Sequence, residues 1–260
     1  MDLLMKKFNV VIYIGLIINC LVITSVWYIV DLMNSQWRLS YDERQLLDVL
    51  NWVHYPFMAA IAAQIASLFI LDSHPKIGLT IAIISSIVMV PLSLIFLTGY
   101  LYAYENRINR SLTEFTGSQA NLYIFFKKAQ LETLAILYLF IGGIVSFLVL
   151  GIGWVLCVVG IVTLCNLRRL KNRILIGADH NNLILTPNLH SKTYLVPLNC
   201  VTVLKDNDNL FKLHIITSEL NRKITHRKAM LMGNDSSTIL NHILAQIPKK
   251  ESQLSNSTSH

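Results

Sequence analysis

Two groups of side chains in this sequence have types that could do chemistry. The first is four histidines, His180, His190, His214 and His226, in the last third of the chain. Imidazoles bind zinc and move protons near neutral pH, so a cluster of them would suggest a metal or acid–base site. Their spacing builds none: no pair stands four apart, no HExxH occurs, and Cys20, Cys157, Cys165 and Cys200 form no CxxC. His214 and His226 become cross-strand neighbours if the chain turns back near Glu219, which would supply two ligands. Exposed strand histidines are the plainer reading. The second group is basic: Arg168, Arg169, Lys171 and Arg173, then Arg222, Lys223, Arg227 and Lys228. Cations grouped in this way attract anionic lipid headgroups or acidic protein surfaces, at about 1 kcal/mol per residue beside a membrane. Nucleic acid is not an expected partner, because no aromatic residues interleave with the charge.

Other reaction signatures are missing. There is no GxSxG, Walker loop or GxGxxG, and Gly151-x-Gly153 lies in apolar sequence where a phosphate would not go. Asp206 and Asp208 read as hairpin-turn residues rather than a calcium loop, since the Gly and distal Glu of such a loop are absent. No catalytic, metal or cofactor-binding residue is assigned, no cofactor is expected, and an enzyme is not the favoured class.

The elements that must position the cations fall into two regions. Up to Leu167 acids and bases cancel, and the whole formal excess of +7 lies after it. Only 14% of the residues are charged, against about 25% in a soluble domain. The apolar residues are blocked into uncharged runs at 8–30, 49–71, 77–104 and 133–167. A spanning helix needs about 20 such residues, and a chain this short could not wrap so many runs in a soluble core. The expected fold is a multi-pass α-helical membrane protein with four or five spans. The first run follows Lys6 and Lys7 and is long for a signal sequence, so it is expected to be retained. Pro91 should kink the third run. The last run would be either one tilted helix or two spans, 133–150 and 154–167, turning at Gly151 and Gly153. Loop basicity favours five spans, and the carboxy-terminal domain is expected in the cytosol.

No Asp, Glu, Lys or Arg lies within these runs, which argues against an ion-coupled transporter. His54, beside Trp52 and Tyr55, reads as an interfacial residue. Gln64, Ser67, Ser85, Ser86 and Ser93 read as helix-packing hydrogen-bond formers. Glycines 142, 143, 151, 153 and 160 give a small-residue surface for close helix approach, which suits packing within one subunit, with a pore lining or a homo-oligomer contact as the alternatives.

From Arg173 the pattern changes to short β-rich runs broken by turns, and 168–248 is expected as one basic domain. About seven strands are expected, at 173–177, 183–186, 194–198, 200–205, 210–217, 223–227 and 229–232. Residues 210–217 alternate, with Phe211, Leu213 and Ile215 on one face and Lys212 and His214 on the other. A final helix places Ile239, Leu240, Ile243, Leu244 and Ile247 on one stripe and stops at Pro248. Residues 249–260 read as a disordered polar tail.

This order of elements, with Asn182-Leu183-Ile184-Leu185-Thr186 followed by Val196-Pro197-Leu198-Asn199-Cys200-Val201, resembles a pleckstrin-homology-like domain of the kind fused to membrane spans in bacterial proteins. The resemblance covers about Arg173 to Ile247 and implies a β domain closed by one α-helix, in a bacterial inner membrane protein. Phosphoinositide-binding members carry Lys and Arg around the first strand–strand loop. Here that loop is Asp179-His180-Asn181-Asn182, so the resemblance does not carry inositide recognition to this chain. The expected function is an integral membrane scaffold or sensor whose basic domain binds a protein partner or anionic lipid. The alternatives are a small mechanosensitive-type channel and a membrane-embedded enzyme.

Overall fold

The computed structural model describes residues 9–35, 40–117, 120–148, 153–170, 172–233 and 235–248. Lys171, Gly151 and the expected tail at 249–260 lie outside the described residues. The chain forms two compact units, Met1–Arg107 with Leu134–Leu164, and Ile108–Thr133 with Cys165–His260.

The first unit is helical. Helix α1 (Val10–Asn34) begins where the Asn9 side chain accepts from the Val11 amide, and α2 (Tyr41–Ser73) begins at a Ser40–Glu43 capping box. Then come α3 (Pro75–Val88), α4 (Ser93–Ile108), α5 (Ala129–Leu148) and α6 (Gly153–Arg169). Three of them, α1, α2 and α5, are long and apolar enough to cross a membrane. Only 17%, 28% and 11% of their most apolar windows is buried. Side chains such as Ile17, Trp27, Phe140 and Phe147 therefore face outward, and such apolar exteriors suit hydrocarbon rather than water.

Helices α1 and α2 run antiparallel. Ile12 clusters with Leu68 and Leu71, and further along Asn19 Nδ2 donates to Gln64 Oε1 at 2.8 Å with both residues fully buried. The run 77–104 was expected as one kinked helix, and here the structure differs. The chain reverses after Val88, through a turn that includes the cis Val90–Pro91 bond, and α4 returns beside α3. Tyr100 shows the reversal: its hydroxyl donates to the Ser67 carbonyl at 3.0 Å and lies 2.5 Å from where a Gly78 Cβ would stand. A straight helix would hold residues 78 and 100 about 33 Å apart. At the far end of α4, Arg107 Nη2 reaches the Asp72 carbonyl at 2.7 Å, near the end of α2. Helices α5 and α6 form an antiparallel hairpin. A Cβ on Gly142 would stand 2.8 Å from Cys157, and one on Gly160 would stand 2.9 Å from the Ala135 carbonyl. The last apolar run is thus two helices rather than one.

The second unit holds two antiparallel sheets and ends in α7 (Ser236–Ala245). The first sheet contains β1 (Thr113–Glu114), β2 (Leu122–Phe125), β3 (Ile174–Asp179), β4 (Asn182–Leu185) and β5 (Tyr194–Pro197), in the order β1-β5-β4-β3-β2. The second contains β6 (Val201–Asp206), β7 (Leu210–Ile216) and β8 (Asn221–Arg227) in sequence order. A boundary at Arg168 is therefore too narrow, because β1 and β2 come from the segment between α4 and α5. β2 lies flush on β3 because Gly177 faces Tyr123; a Cβ there would stand 2.8 Å from the Leu122 carbonyl. The seventh expected strand, 229–232, is a 3-10 turn followed by a single bridge from Leu231 to Phe126. Leu112, Ile124, Phe126, Leu175, Leu183, Phe211, Leu213 and Ile215 share one core with Leu240, Ile243 and Ile247 of the carboxy-terminal segment.

Candidate functional site

Of the eight cations read from the sequence, Lys171 lies outside the described residues, and the other seven end in three different environments. Arg168 and Arg169 stand exposed on the last turn of α6. Asn172 follows with φ of 60°, a left-handed conformation that Asn tolerates, and the chain turns into β3. The Arg173 guanidinium is half-buried and donates to the Ser191 carbonyl. Together Arg169, Asn172 and Arg173 line an open cleft of about 710 Å³ with Phe115, Phe125 and Thr193. Its lining combines the polar Arg169, Asn172, Arg173 and Thr193 with the apolar Phe115, Phe125 and Ile174, a chemistry that suits an anionic headgroup with a greasy neighbour.

The second cluster is divided by strand alternation. On β8, Arg222, Ile224 and His226 turn toward the core, whereas Lys223, Thr225 and Arg227 are exposed. Arg222 Nη1 donates to Asn109 Oδ1 at 2.9 Å, so this residue ties β8 to the segment after α4. Lys228 pairs with Asp206 at 2.8 Å. Arg222 and Lys228 thus have internal partners, and Lys223 and Arg227 are the two that face solvent.

Two further lysines join them, and the sequence reading did not single them out as contacts. β7 pairs with β8 so that Lys212 lies opposite Thr225 and His214 opposite Lys223. β6 pairs with β7 so that Lys205 lies opposite Lys212. The shift in register between Val203 and Lys205 leaves Leu204 exposed and turns Lys205 to the solvent side. In antiparallel pairs the diagonal neighbours lie about 7–8 Å apart. Lys212 therefore has Lys205 directly across on one side and Lys223 and Arg227 diagonally on the other. No carboxylate pairs with any of these four among the described residues.

The histidines do not converge. His214 is on the solvent face, with Nε2 2.7 Å from Asn221 Oδ1, whereas His226 is buried against Phe211 on the core face. The two thus point to opposite sides of one sheet. His180 sits in the β3–β4 turn at φ of 51°, with Nδ1 2.8 Å from its neighbour Asp179. Among the described residues no three His, Cys, Asp or Glu side chains gather as a metal-holding group. Burial pushes the His226 imidazole down to about 4, and the positive charge of Arg222 adds to the effect. Its Nε2 is buried without a partner.

In the helical unit the polar side chains make the bonds expected of packing residues. Ser67 and Ser85 donate back to the carbonyls of Gln64 and Ala82, and Ser93 donates across the turn to Ser86. His54 lies edge-on to Tyr55, and its Nδ1 is buried without a partner.

Among the described residues, the cleft beside α6 and the four-cation sheet face have the chemistry to receive an anion. No family model, curated protein or solved structure matches this chain.

Proposed function

We propose that this chain is an integral membrane scaffold or sensor. In this reading its β-rich unit sits on the cytosolic side, pleckstrin-homology-like in its closing helix, and binds anionic lipid or an acidic protein partner at the bilayer surface. The observation that carries the reading is the cleft at the end of α6. Arg169 ends a helix that is uncharged up to Leu167, so a headgroup at the end of that helix would meet Arg169, Arg173 and Asn172 together.

The chain's path supports a specific topology. Strands β1 and β2 hydrogen-bond into the sheet formed by β3–β5, and a sheet cannot be paired across a bilayer. The end of α4, the start of α5 and the end of α6 must then share one side. Helix α3, about 21 Å long, is short for a hydrocarbon layer of about 30 Å, and α4 brings the chain back to the level where α3 began. We read them as a re-entrant hairpin, with α1, α2, α5 and α6 as four full crossings. The amino terminus then shares the side of the β unit. Of the thirteen Lys and Arg residues up to Arg173, eleven fall on that side and only Arg38 and Arg44 on the other. That asymmetry is the one expected of a cytosolic face, and it accommodates Lys6 and Lys7, which a five-crossing path would leave outside.

Two experiments test the reading. In a background without native cysteines, an impermeant maleimide added to intact cells should label Ser40→Cys but not Thr116→Cys or Ser218→Cys; labelling at Thr116→Cys would overturn the topology. Purified full-length protein should retain phosphatidylglycerol over phosphatidylcholine in native mass spectrometry, less so with Arg169→Gln. Equal retention of both lipids, with no acidic protein crosslinked at the domain, would leave the functional reading without support.

A further inference from the structure

We infer that the solvent face of the β6–β8 sheet is a second contact surface, and that its occupant is the anionic surface of a bilayer. The inference deepens the reading above and rests on it, but it concerns different residues from the cleft. Lys205, Lys212, Lys223 and Arg227 make one patch around Thr225, set by the cross-strand registers. Like charges placed directly opposite, as Lys205 and Lys212 are, repel one another. Here no carboxylate relieves the repulsion among the described residues. An array of anions supplied from outside would.

Two features favour lipid over an acidic polypeptide. The patch spreads across the face of a three-stranded sheet, from β6 to β8, and so matches an extended anionic plane. Strand β8, which carries Lys223 and Arg227, is also pinned at both ends to segments that lead into membrane helices. At its start Arg222 bonds Asn109, the residue after α4. Beyond its end the Lys127 amide donates to the Met230 carbonyl at 2.7 Å, two residues before α5 begins, and the Met232 amide to the Phe125 carbonyl. The edge strand of the basic sheet is therefore bracketed by two of the places where the chain leaves this unit. A surface tethered so closely meets bilayer anions at high effective concentration.

The test uses the full-length protein, its native cysteines replaced, with Thr225→Cys as the reporter. It is reconstituted in nanodiscs of phosphatidylcholine alone or with phosphatidylglycerol at roughly 3:1, and the maleimide labelling rate is measured. Labelling should slow several-fold in the anionic discs. The protection should vanish at about 1 M salt, where screening reaches only about 3 Å. Reversing Lys212 and Lys223 to Glu should abolish most of that several-fold protection. Equal rates in both discs overturn the inference. Protection by polyglutamate in neutral discs, with no effect of phosphatidylglycerol, also overturns it and assigns the face to an acidic polypeptide. Lipid retention through Arg169 is measured separately. If it persists while the reporter's labelling rate is indifferent to lipid, the inference alone fails; if both are lost, the functional reading falls too.

Discussion

Excising the carboxy-terminal segment as though it were a free domain should unfold it. A fragment of Cys165–Pro248 contains β3–β8 and α7 but lacks β1 and β2, which pair with β5 and β3. Removing the segment that carries them strips three well-buried side chains from the core: Leu112, Ile124 and Phe126, at 9%, 2% and 6% exposure. Burying a side chain of this size stabilises by about 1.5–3 kcal/mol, so together they contribute about 5–9 kcal/mol. A whole domain is stable by only about 5–15 kcal/mol. The loss also turns β3, buried along nearly its entire length, into a bare edge strand open to other chains. The fragment should show no cooperative urea transition by circular dichroism, and should self-associate on sizing. Joining Ile108–Lys128 ahead of it through a short Gly/Ser linker should restore a cooperative transition. The two segments lie side by side where the Phe126 amide donates to the Arg173 carbonyl at 3.3 Å. A monomeric Cys165–Pro248 fragment unfolding as cooperatively as the linked form would refute the reasoning, because β2 would then contribute little.

Three further outcomes follow from the same packing, each measured on the linked form of the β unit. Gly177→Val drives a side chain toward the Leu122 carbonyl and should destabilise by about 1–3 kcal/mol in urea melts, through β2 rather than β4. Arg222→Gln removes a charged bond to Asn109 and should lower stability by about 1.5–3 kcal/mol. His226 makes the unit acid-sensitive: its folded value of about 4 lies below the ordinary 6.5, so the unfolded chain binds the proton first. Stability is complete above pH 6.5 and declines as the pH falls toward 4, by about 3 kcal/mol at about 1.4 kcal/mol per pKa unit. His226→Phe should flatten that decline in melts run between those two values; an unchanged slope would show that other groups cause it.

The parts of the fold legible in the sequence are those whose pattern is long and local. The uncharged run at 8–30 corresponds to α1, and the stripe Leu240, Ile243, Leu244 and Ile247 is buried as its spacing requires. The alternation across 210–217 is the strand β7. What could not be read depends on partners distant in the chain. β1 is two residues long and β2 four, too short for a period to register, and a helical hairpin separates them from the strands they join. The turn at Met89–Leu92 lies inside a run that stays apolar through the reversal, so hydropathy alone shows one helix where contacts at Gly78 and Tyr100 show two.

The basic surface shows the same limit at the scale of single side chains. Alternation along β8 already separates Lys223 and Arg227 from Arg222, and counting by twos would have found it. Lys205 is different. Counted by twos from the buried Val201 it should point into the core, and it faces solvent only because a register shift in β6 intervenes. That shift places Lys205 opposite Lys212. Four cations of one patch thus come from three strands, and the position of one is fixed by an irregularity in the pairing. A charge cluster drawn from adjacent letters, such as Arg222 to Lys228, mixes residues that hold the fold together with residues left free to bind. Only the pairing tells them apart.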